Sequence, residues 1–300
     1  MIKELLNNFL PPHEIIHCEA EKLKANGDYR VAGIAIRCQD GLEVFGSSSS
    51  TSEDPLLYAA YELLERYAVL TSKSCIPFDS TENTRYSISN GVALHKNSKL
   101  ASESAYLELI ERNEVLKSWY LNTPIKNLPS SSISYSLRAV LSEYDFQVVN
   151  FSTKPEVSVV GVFAFSKEGK ANIYGFGSAY NLNEAVKKAE KEFLTRLGFV
   201  GEEAPVDLPF FSNTPDYHQD FYLHSRSKDI LLEWLNGEGK SASAKFSVKE
   251  VLFEDLTPKG WTSFNVIRAK ASDYIPLFFG VTPRQSFDFT HRCDIPHPVV

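Results

Sequence analysis

The feature that most constrains this chain is a helical pattern of alanine, glutamate and arginine that occurs three times. Two copies read Ala-x-x-Glu-x-x-Glu-Arg, and in the third a threonine replaces the second glutamate. The copies run from Ala59 to Arg66, from Ala105 to Arg112 and from Ala189 to Arg196. Residues spaced three, four and seven apart share one face of an α-helix. The pattern therefore predicts three helices that each align carboxylates and a guanidinium along one face.

A glycine precedes the first glutamate of each copy by 16 or 17 residues. These glycines are Gly46, Gly91 and Gly175. We therefore expect a recurring unit of strand end, glycine turn and helix, and we expect the Ser/Thr run Ser47 to Ser52 to be a solvated turn. The copies are unequally spaced along the chain, so they do not indicate a solenoid.

The charges of the first copy lie in a stretch, Pro55 to Leu70, that is otherwise apolar nearly all round. Such a helix is normally buried, and an uncompensated buried ion costs several kcal/mol. An internal salt bridge between Glu62 and Arg66 is one solution. The other is that carboxylates from the three helices converge on a hard cation such as Mg²⁺, while arginines on the same faces bind phosphate oxygens. The threefold repetition favours the second solution.

Strand-like and helix-like stretches alternate through the rest of the chain, which predicts an α+β fold in one compact unit, residues 1–300. Within it we expect a lead-in with the first strands over 1–45 and a core over 46–300. Predicted strands cover Tyr29 to Arg37, Glu156 to Phe165 and Phe264 to Ala269, and predicted helices cover Leu100 to Tyr120, Asn183 to Leu197 and Ser227 to Leu235, with Gly198 as a helix stop. Glu202 to Tyr222 is predicted to be a long loop, either a functional lid or a plain surface connection.

The charge, the hydropathy and the motif content of the chain exclude several classes of function. The formal net charge is −7, so nothing indicates a nucleic-acid binder. No apolar run approaches the roughly 20 residues of a membrane span, and we expect a cytoplasmic protein. The chain contains neither GxxxxGK[ST] nor GxGxxG after a strand. A nucleotide would therefore be held by side chains rather than by a glycine-rich loop.

The stretch SNGVALHKNSKLASESAYLELIERNEVLKSWY, Ser89 to Tyr120, resembles the YcaO family pattern of an Asn-Gly start, an Ala-rich helix, Glu-x-x-Glu-Arg and a downstream Trp. The stretches Leu56 to Tyr67 and Gly175 to Phe193 are similar to the first and third helices of the family. Tyr217 to Leu235 is similar to a family His–Tyr segment before a helix. The ending Ile295 to Val300 resembles the proline-rich tail of the family's peptide cyclodehydratases.

The resemblance implies a YcaO-like fold, with repeated strand–helix units and mixed sheets around a nucleotide site formed by three helices, and it implies ATP and Mg²⁺ as cofactors. The implied metal ligands are Glu62, Glu65, Glu108, Glu111 and Glu192. The implied nucleotide-binding residues are these five with Arg66, Arg112 and Arg196. The implied catalytic tail is Pro296, His297 and Pro298; from the residues alone, His297 could either touch substrate or lie in solvent.

The implied activity is ATP-dependent cyclodehydration of Cys, Ser or Thr to azolines in a ribosomally made precursor peptide, as in bacteriocin biosynthesis. The implied partners are that peptide, a ubiquitin-activating-like protein that presents it because no extra capture domain is evident, and a possible second copy in a homodimer. Two alternatives stay open: peptide thioamidation, and a degenerate scaffold subunit. Leu100, which stands where the family commonly has an acidic residue, and the Ser47 to Ser50 turn motivate the scaffold.

Overall fold

The structure is a computed structural model that describes residues 1–23, 29–50, 54–72, 83–167, 171–200, 212–223, 227–237, 250–283 and 289–299. These residues form seven α-helices: α1 (Ile2–Phe9), α2 (Pro55–Thr71), α3 (Ser98–Leu121), α4 (Tyr135–Val140), α5 (Leu182–Val200), α6 (Pro215–Leu223) and α7 (Ser227–Asn236). They also form twelve strands: β1 (His13–Lys22), β2 (Arg30–Cys38), β3 (Glu43–Ser50), β4 (Thr84–Tyr86), β5 (Val92–His95), β6 (Lys126–Leu128), β7 (Tyr144–Asn150), β8 (Ser158–Ser166), β9 (Ile173–Ala179), β10 (Leu252–Asp255), β11 (Asn265–Lys270) and β12 (Phe278–Gly280).

The strands form four sheets, in the orders β1-β2-β3, β10-β11-β5, β12-β4 and β6-β7-β8-β9. Every described pairing is antiparallel. The predicted α+β class is therefore confirmed, but the sheets are antiparallel rather than mixed. Most neighbouring strands are consecutive in the chain, and antiparallel pairs can be joined by short connections without a crossover helix.

The three repeat helices begin at sequence-encoded caps. Asp54 accepts a hydrogen bond from the backbone N–H of Leu56 at 3.1 Å, and Pro55 occupies the first turn of α2. Asn97 accepts from the N–H groups of the first turn of α3. Asn181 accepts from the N–H of Glu184 at 2.9 Å at the start of α5. These caps place each motif at a fixed distance along its helix.

The first and third repeats pack their helices directly onto their own strands at the glycine. A Cβ on Gly46 would lie 2.1 Å from the carbonyl oxygen of Ala59, and a Cβ on Gly175 would lie 2.2 Å from the backbone nitrogen of Phe193 and 2.6 Å from the carbonyl oxygen of Ala189. No larger residue fits at either position. The alanine of the motif and the missing side chain of the glycine together let helix and strand approach this closely.

The predicted glycine turn is therefore wrong for two of the three copies. Gly46 lies inside β3 and Gly175 inside β9, where they admit a helix rather than turn the chain. Gly91 does lie in a turn before β5, with φ of 69°, a left-handed conformation that favours glycine.

The Ser/Thr run is also not a solvated turn within its described part, Ser47 to Ser50. These serines belong to β3 and pair with β2, and Ser48 and Ser49 are buried. The hydroxyl of Ser49 donates to the carbonyl oxygen of Lys191 at 2.8 Å, which ties β3 to α5. Thr51 and Ser52 lie outside the described residues.

Two further boundaries differ from the prediction. Gly198 does not stop α5, which continues to Val200; the glycine is needed because a Cβ there would lie 2.5 Å from a side-chain methyl of Val31. The predicted loop Glu202 to Tyr222 is wrong in its second half, which contains most of α6. This helix starts in the usual way: the hydroxyl of Thr214 accepts from the N–H of Tyr217, and Pro215 occupies the first turn. Positions 202–211 lie outside the described residues.

The largest core links α3 and α7 to the four-stranded sheet through aromatic rings. The rings of Trp119 and Trp234 are 5.0 Å apart, and Trp234 also packs on Phe151 at 5.3 Å. The indole N–H of Trp234 donates to the hydroxyl of Ser118, so the buried ring keeps a polar partner. Among the described residues, no helix has the length and apolar character needed to cross a membrane.

Replacing Gly46 with alanine should lower the free energy of unfolding by about 1–3 kcal/mol, the cost typical of overpacking a tight core. The matched control is Gly237→Ala, whose added Cβ would lie no closer than 3.1 Å to its nearest neighbour. Urea unfolding of the two variants measures the difference. Equal stability of both variants would show that the close approach of α2 to β3 is not a constraint.

Candidate functional site

The first glutamate of each repeat binds the strand of its own unit. Glu62 accepts a hydrogen bond from the backbone N–H of Ser47 at 2.9 Å, and Glu108 accepts from the N–H of Val92 at 3.2 Å. In the third copy, Glu192 accepts from the N–H of Phe176 at 3.3 Å. In every case the donor is the residue that follows the glycine of the repeat. The glycine thus brings the strand close enough for the carboxylate to reach its backbone.

The arginine of the first two copies lies beside the same carboxylate. Arg66 approaches the other oxygen of Glu62 at 2.6 Å, and it also donates to the carbonyl oxygen of Phe45 at 3.0 Å. Arg112 lies 3.8 Å from the second oxygen of Glu108. The internal salt bridge between Glu62 and Arg66 is therefore present. Arg66 braces the carboxylate and β3 in this structure.

The second position of the motif connects the units to each other. Glu65 of α2 accepts from the N–H of Leu94 in β5 at 2.7 Å, so the first repeat holds the strand of the second. Glu111 of α3 is 7% exposed. Thr195, which replaces glutamate in the third copy, donates its hydroxyl to the carbonyl oxygen of Lys191 within its own helix. The third copy therefore contributes one carboxylate rather than two.

The carboxylates of the three helices are close enough to repel one another. Burial first, and then the charge of Glu108, raise the pKa of Glu65 to about 8. Burial likewise raises the pKa of Glu108 to about 7, with Glu192 adding to the shift. The pKa of Glu192 is raised to about 7 by burial and then by Glu111. The pKa of Glu111 is raised by burial and by Glu108.

Guanidinium groups provide the positive charge of this cluster. Burial would lower the pKa of Arg112, but the carboxylates of Glu108, Glu192 and Glu111 outweigh burial and raise it. Arg196 lies 4.1 Å over the ring of Tyr174. Its Nε and Nη2 atoms are buried without a hydrogen-bond partner among the described residues.

We name the group formed by Glu62, Glu65, Glu108, Glu111, Glu192, Arg66, Arg112 and Arg196 the carboxylate–arginine cluster. Its members are the eight residues predicted for metal and nucleotide, and charge–charge effects on their pKa values link them from α2 through α3 to α5. Their chemistry fits that pair of ligands: carboxylate oxygens suit Mg²⁺, and the unsatisfied donors of Arg196 suit phosphate oxygens.

Among the described residues, no three His, Cys, Asp or Glu side chains form a cage that could hold a metal ion. Such a cage is not what Mg²⁺ requires, because this ion is usually held by one or two carboxylates together with phosphate oxygens and water. A cavity of about 440 Å³ lies elsewhere, where Asn127, Phe146 and Gln147 line the edge of β6 and β7. None of the predicted site residues lines it.

The C-terminal tail is buried rather than free. Pro296, His297 and Pro298 are all buried, and His297 is 0% exposed. The Nε2 atom of His297 donates to the carbonyl oxygen of Phe278 in β12. Burial first, and then the charges of His218 and Arg112, hold the pKa of His297 well below its usual range. The tail therefore lies close enough to the cluster for the charge of Arg112 to act on His297. The alternative of a solvent-exposed His297 is wrong.

Sequence reasoning missed two residues that hold this tail. The Nδ1 atom of His218 donates to the carbonyl oxygen of His297 at 3.1 Å, and its Nε2 atom accepts from the N–H of Gly280 at 3.1 Å. The hydroxyl of Tyr222 donates to the carbonyl oxygen of Pro296. The sequence feature that points to these residues is the His–Tyr segment that resembles the family. The residue pattern alone does not predict that this segment contacts the tail.

A second buried polar group on α3 was also missed. Glu114 is 1% exposed and Lys117 is 4% exposed, and they pair at 3.2 Å. Glu114 also accepts from Asn113 and from the backbone N–H of Thr153 at 2.8 Å. This group anchors the segment after β7 to α3. The sequence feature that points to this pair is the i,i+3 spacing of two opposite charges, Glu114 and Lys117, on a helix with apolar residues before and after them.

The position that departs from the family pattern, Leu100, is 43% exposed in the first turn of α3. Glu103, the nearest acidic residue further along α3, lies 3.9 Å from Lys99 in a surface ion pair. Neither residue approaches the carboxylates through any described hydrogen bond or ion pair.

A family model described as YcaO cyclodehydratase, ATP- and Mg²⁺-binding, matches residues 74–275. This range is more than half of the chain and includes α3 and α5. It begins after α2 and ends before the tail. No curated protein matches the sequence.

Solved structures show the same fold at low sequence identity. A YcaO protein from Methanopyrus kandleri bound with AMPPCP and Mg²⁺ is 16% identical, with 90% of each chain covered and a TM-score of 0.61. A heterocyclase in complex with substrate and cofactor is 15% identical over 86% of this chain and 49% of its own, with a TM-score of 0.58. A chain of the E. coli microcin synthetase McbBCD complex is 12% identical over 92% of this chain and 91% of its own, with a TM-score of 0.57.

The contribution of His218 to stability should be lost as the pH drops from about 6.5 to about 4, because burial lowers the pKa of His218 from 6.5 to about 4. The glutamates of the cluster, whose pKa values are raised, change total stability in the opposite direction over this range, so only a comparison between wild type and a His218 variant isolates this contribution. Over this range the unfolded chain takes up a proton at His218 that the folded chain does not, so folding is favoured above 6.5 and loses that contribution below it. His218 accounts for at most about 1.4 kcal/mol per pH unit. His297, which faces it and whose pKa is also lowered, adds in the same direction.

Urea unfolding across this pH range checks the prediction by comparison with His218→Gln, which keeps a donor and an acceptor but does not titrate. As the pH falls through this range, the free energy of unfolding of the wild type should decrease relative to that of the variant. Parallel pH dependences would show that the His218 ring is not held neutral in the folded protein.

Proposed function

This chain belongs to the YcaO family, and on that premise we propose that it activates backbone amides of a ribosomally made precursor peptide with ATP and Mg²⁺. ATP and Mg²⁺ are the cofactors of the family. The observation that supports the assignment is the carboxylate–arginine cluster, in which carboxylates from α2, α3 and α5 lie close enough to raise one another's pKa values. A divalent cation relieves this repulsion.

The residues of the cluster have separable roles in this proposal. Glu62, Glu108 and Glu192 each bind a strand N–H with one oxygen and leave the other oxygen for the arginine or the cation. Glu65 and Glu111 add the charge that attracts a divalent ion. Arg112 and Arg196 bind phosphate oxygens, and positive groups placed where charge develops are what phosphoryl transfer needs.

Bound ATP supplies the phosphoryl group that turns an amide oxygen into a leaving group. We propose cyclodehydration of Cys, Ser or Thr: the side-chain thiol or hydroxyl bonds to the preceding carbonyl carbon, and the carbonyl oxygen takes the γ-phosphoryl group of ATP. The C–O bond then breaks to release phosphate, a C=N bond forms to the amide nitrogen, and the side-chain proton and the amide N–H proton are given up. Peptide and ATP thereby become azoline peptide, ADP and phosphate. The tail from Pro296 to Pro298 approaches the reacting amide in this proposal.

The heterocyclase and microcin synthetase folds support this reaction among those of the family. Because the microcin synthetase neighbour is a complex, we propose that this chain also works with a partner protein of the ubiquitin-activating-like kind that presents the peptide. We propose that residues 1–300 act as one YcaO-like domain and that the protein works in the cytoplasm in the maturation of a bacteriocin-like peptide.

Glu192→Gln should reduce peptide-dependent phosphate release from ATP by at least about 100-fold, the loss typical of removing one group that stabilises developing charge. Glutamine keeps an oxygen that accepts from the N–H of Phe176, so folding is retained while the charge is lost. Glu108→Gln should behave in the same way. The matched control is Glu184→Gln on the same helix, where an exposed pair with Lys187 contributes little.

The assay uses the purified chain with the candidate partner and peptide, and the peptide product is weighed by mass spectrometry. Loss of one water per modified residue identifies azolines, whereas exchange of oxygen for sulfur identifies a thioamide. Turnover of Glu192→Gln equal to that of Glu184→Gln would contradict the assigned site. A wild-type chain that binds the partner but never releases phosphate would identify a scaffold subunit.

A further inference from the structure

Two prolines reduce the number of backbone N–H groups that the C-terminal tail can use for hydrogen bonds. Pro296 and Pro298 carry no N–H, so their positions can be fixed by hydrogen bonds only through carbonyl oxygens. Upstream, the N–H groups of Thr290 and His291 donate to the carbonyl oxygen of Tyr120 at the end of α3. From Pro296 onward, the position of the tail depends on hydrogen-bond donors from other elements.

Helix α6 supplies two such donors at helical spacing. His218 and Tyr222 are one turn apart on the same face, and they are 1% and 0% exposed. Tyr222 donates to the carbonyl oxygen of Pro296, and His218 donates to that of His297. Two consecutive carbonyl oxygens of the tail are thus bound by one helix face.

The same imidazole also fixes α6 to the neighbouring strand. Its second nitrogen accepts from the N–H of Gly280, and His297 returns a bond to the carbonyl oxygen of Phe278 in the same strand. Accepting from Gly280 requires an unprotonated Nε2, so Nδ1 carries the hydrogen and donates to the tail. Burial keeps the imidazole in this neutral form by lowering its pKa. Helix, strand and tail therefore form a closed set of hydrogen bonds.

Aromatic packing links this set to the helix of the carboxylate–arginine cluster. Tyr222 packs edge-on against Trp119 with 6.2 Å between ring centroids, and Tyr120 packs edge-on against His297 at 6.2 Å. Trp119 and Tyr120 belong to α3, which carries Arg112 two turns earlier. A shift of α6 would therefore move the tail relative to the cluster.

We propose that His218 and Tyr222 are positioning residues that set where the C-terminal tail lies relative to the peptide amide. The inference rests on the proposed function, because it assumes that the tail approaches the reacting amide. It assigns to α6 a role beyond packing: α6 binds two consecutive carbonyl oxygens of the tail, at Pro296 and His297.

The test uses the full chain with its partner and peptide. Tyr222→Phe removes only the hydroxyl and should lower kcat for peptide modification about tenfold, with KM for ATP unchanged. His218→Gln, which keeps a donor to the tail, should retain more activity than His218→Leu. Tyr135→Phe is the matched control, since Tyr135 is 81% exposed on α4. Hydrogen exchange of residues 289–299 should be faster in Tyr222→Phe than in the control.

Failure of this inference can be separated from failure of the proposed function. If the wild type modifies peptide and Tyr222→Phe matches its kcat, or if His218→Gln is as slow as His218→Leu, the positioning role is overturned while the function stands. If the wild type shows neither ATP turnover nor peptide modification, the proposed function fails and the positioning role fails with it. Unchanged hydrogen exchange in Tyr222→Phe would show that α6 does not hold the tail at all.

Discussion

The structure depends on how it accommodates charged side chains in the interior. Three helices carry glutamates into a region where Glu111 is buried and the other glutamates are half-buried, and an unpaired ion that is removed from water costs up to several kcal/mol. Each first glutamate is stabilised by the N–H of its own strand, and the arginines of the first two copies supply opposite charge. These partners leave the cluster short of positive charge, since burial and mutual repulsion still raise the pKa values of Glu65, Glu108 and Glu192.

The same constraint explains the backbone. A carboxylate reaches its strand only if helix and strand approach within contact of backbone atoms, and that approach requires glycine in the strand at Gly46 and Gly175. Stability and binding chemistry therefore share one geometry. The glycine, the alanine and the glutamate of each repeat form a single unit, and a change at any of them is felt by the other two.

Much of this unit could be predicted from the sequence, because the spacing of Ala, Glu and Arg on a helix determines which side chains share a face. The sequence could not show that the glycines lie inside strands, since a glycine in a turn and a glycine under a helix look alike in one dimension. The serines of β3 were misread for a similar reason: their burial depends on β2 and α5, which are distant in the chain. The hydrogen bonds of His218 and Tyr222 to the tail join segments about 75 residues apart, and no local sequence pattern predicts these contacts.

The central claim is that carboxylates from separate helices share one cation and one nucleotide. A crystal structure with Mn²⁺ and a non-hydrolysable ATP analogue tests it directly, because the anomalous signal locates the metal. The account predicts metal at about 2 Å from carboxylate oxygens of at least two of the helices α2, α3 and α5, with the phosphates against Arg112 or Arg196. Metal and analogue bound away from these helices, with the cluster unchanged, would contradict it.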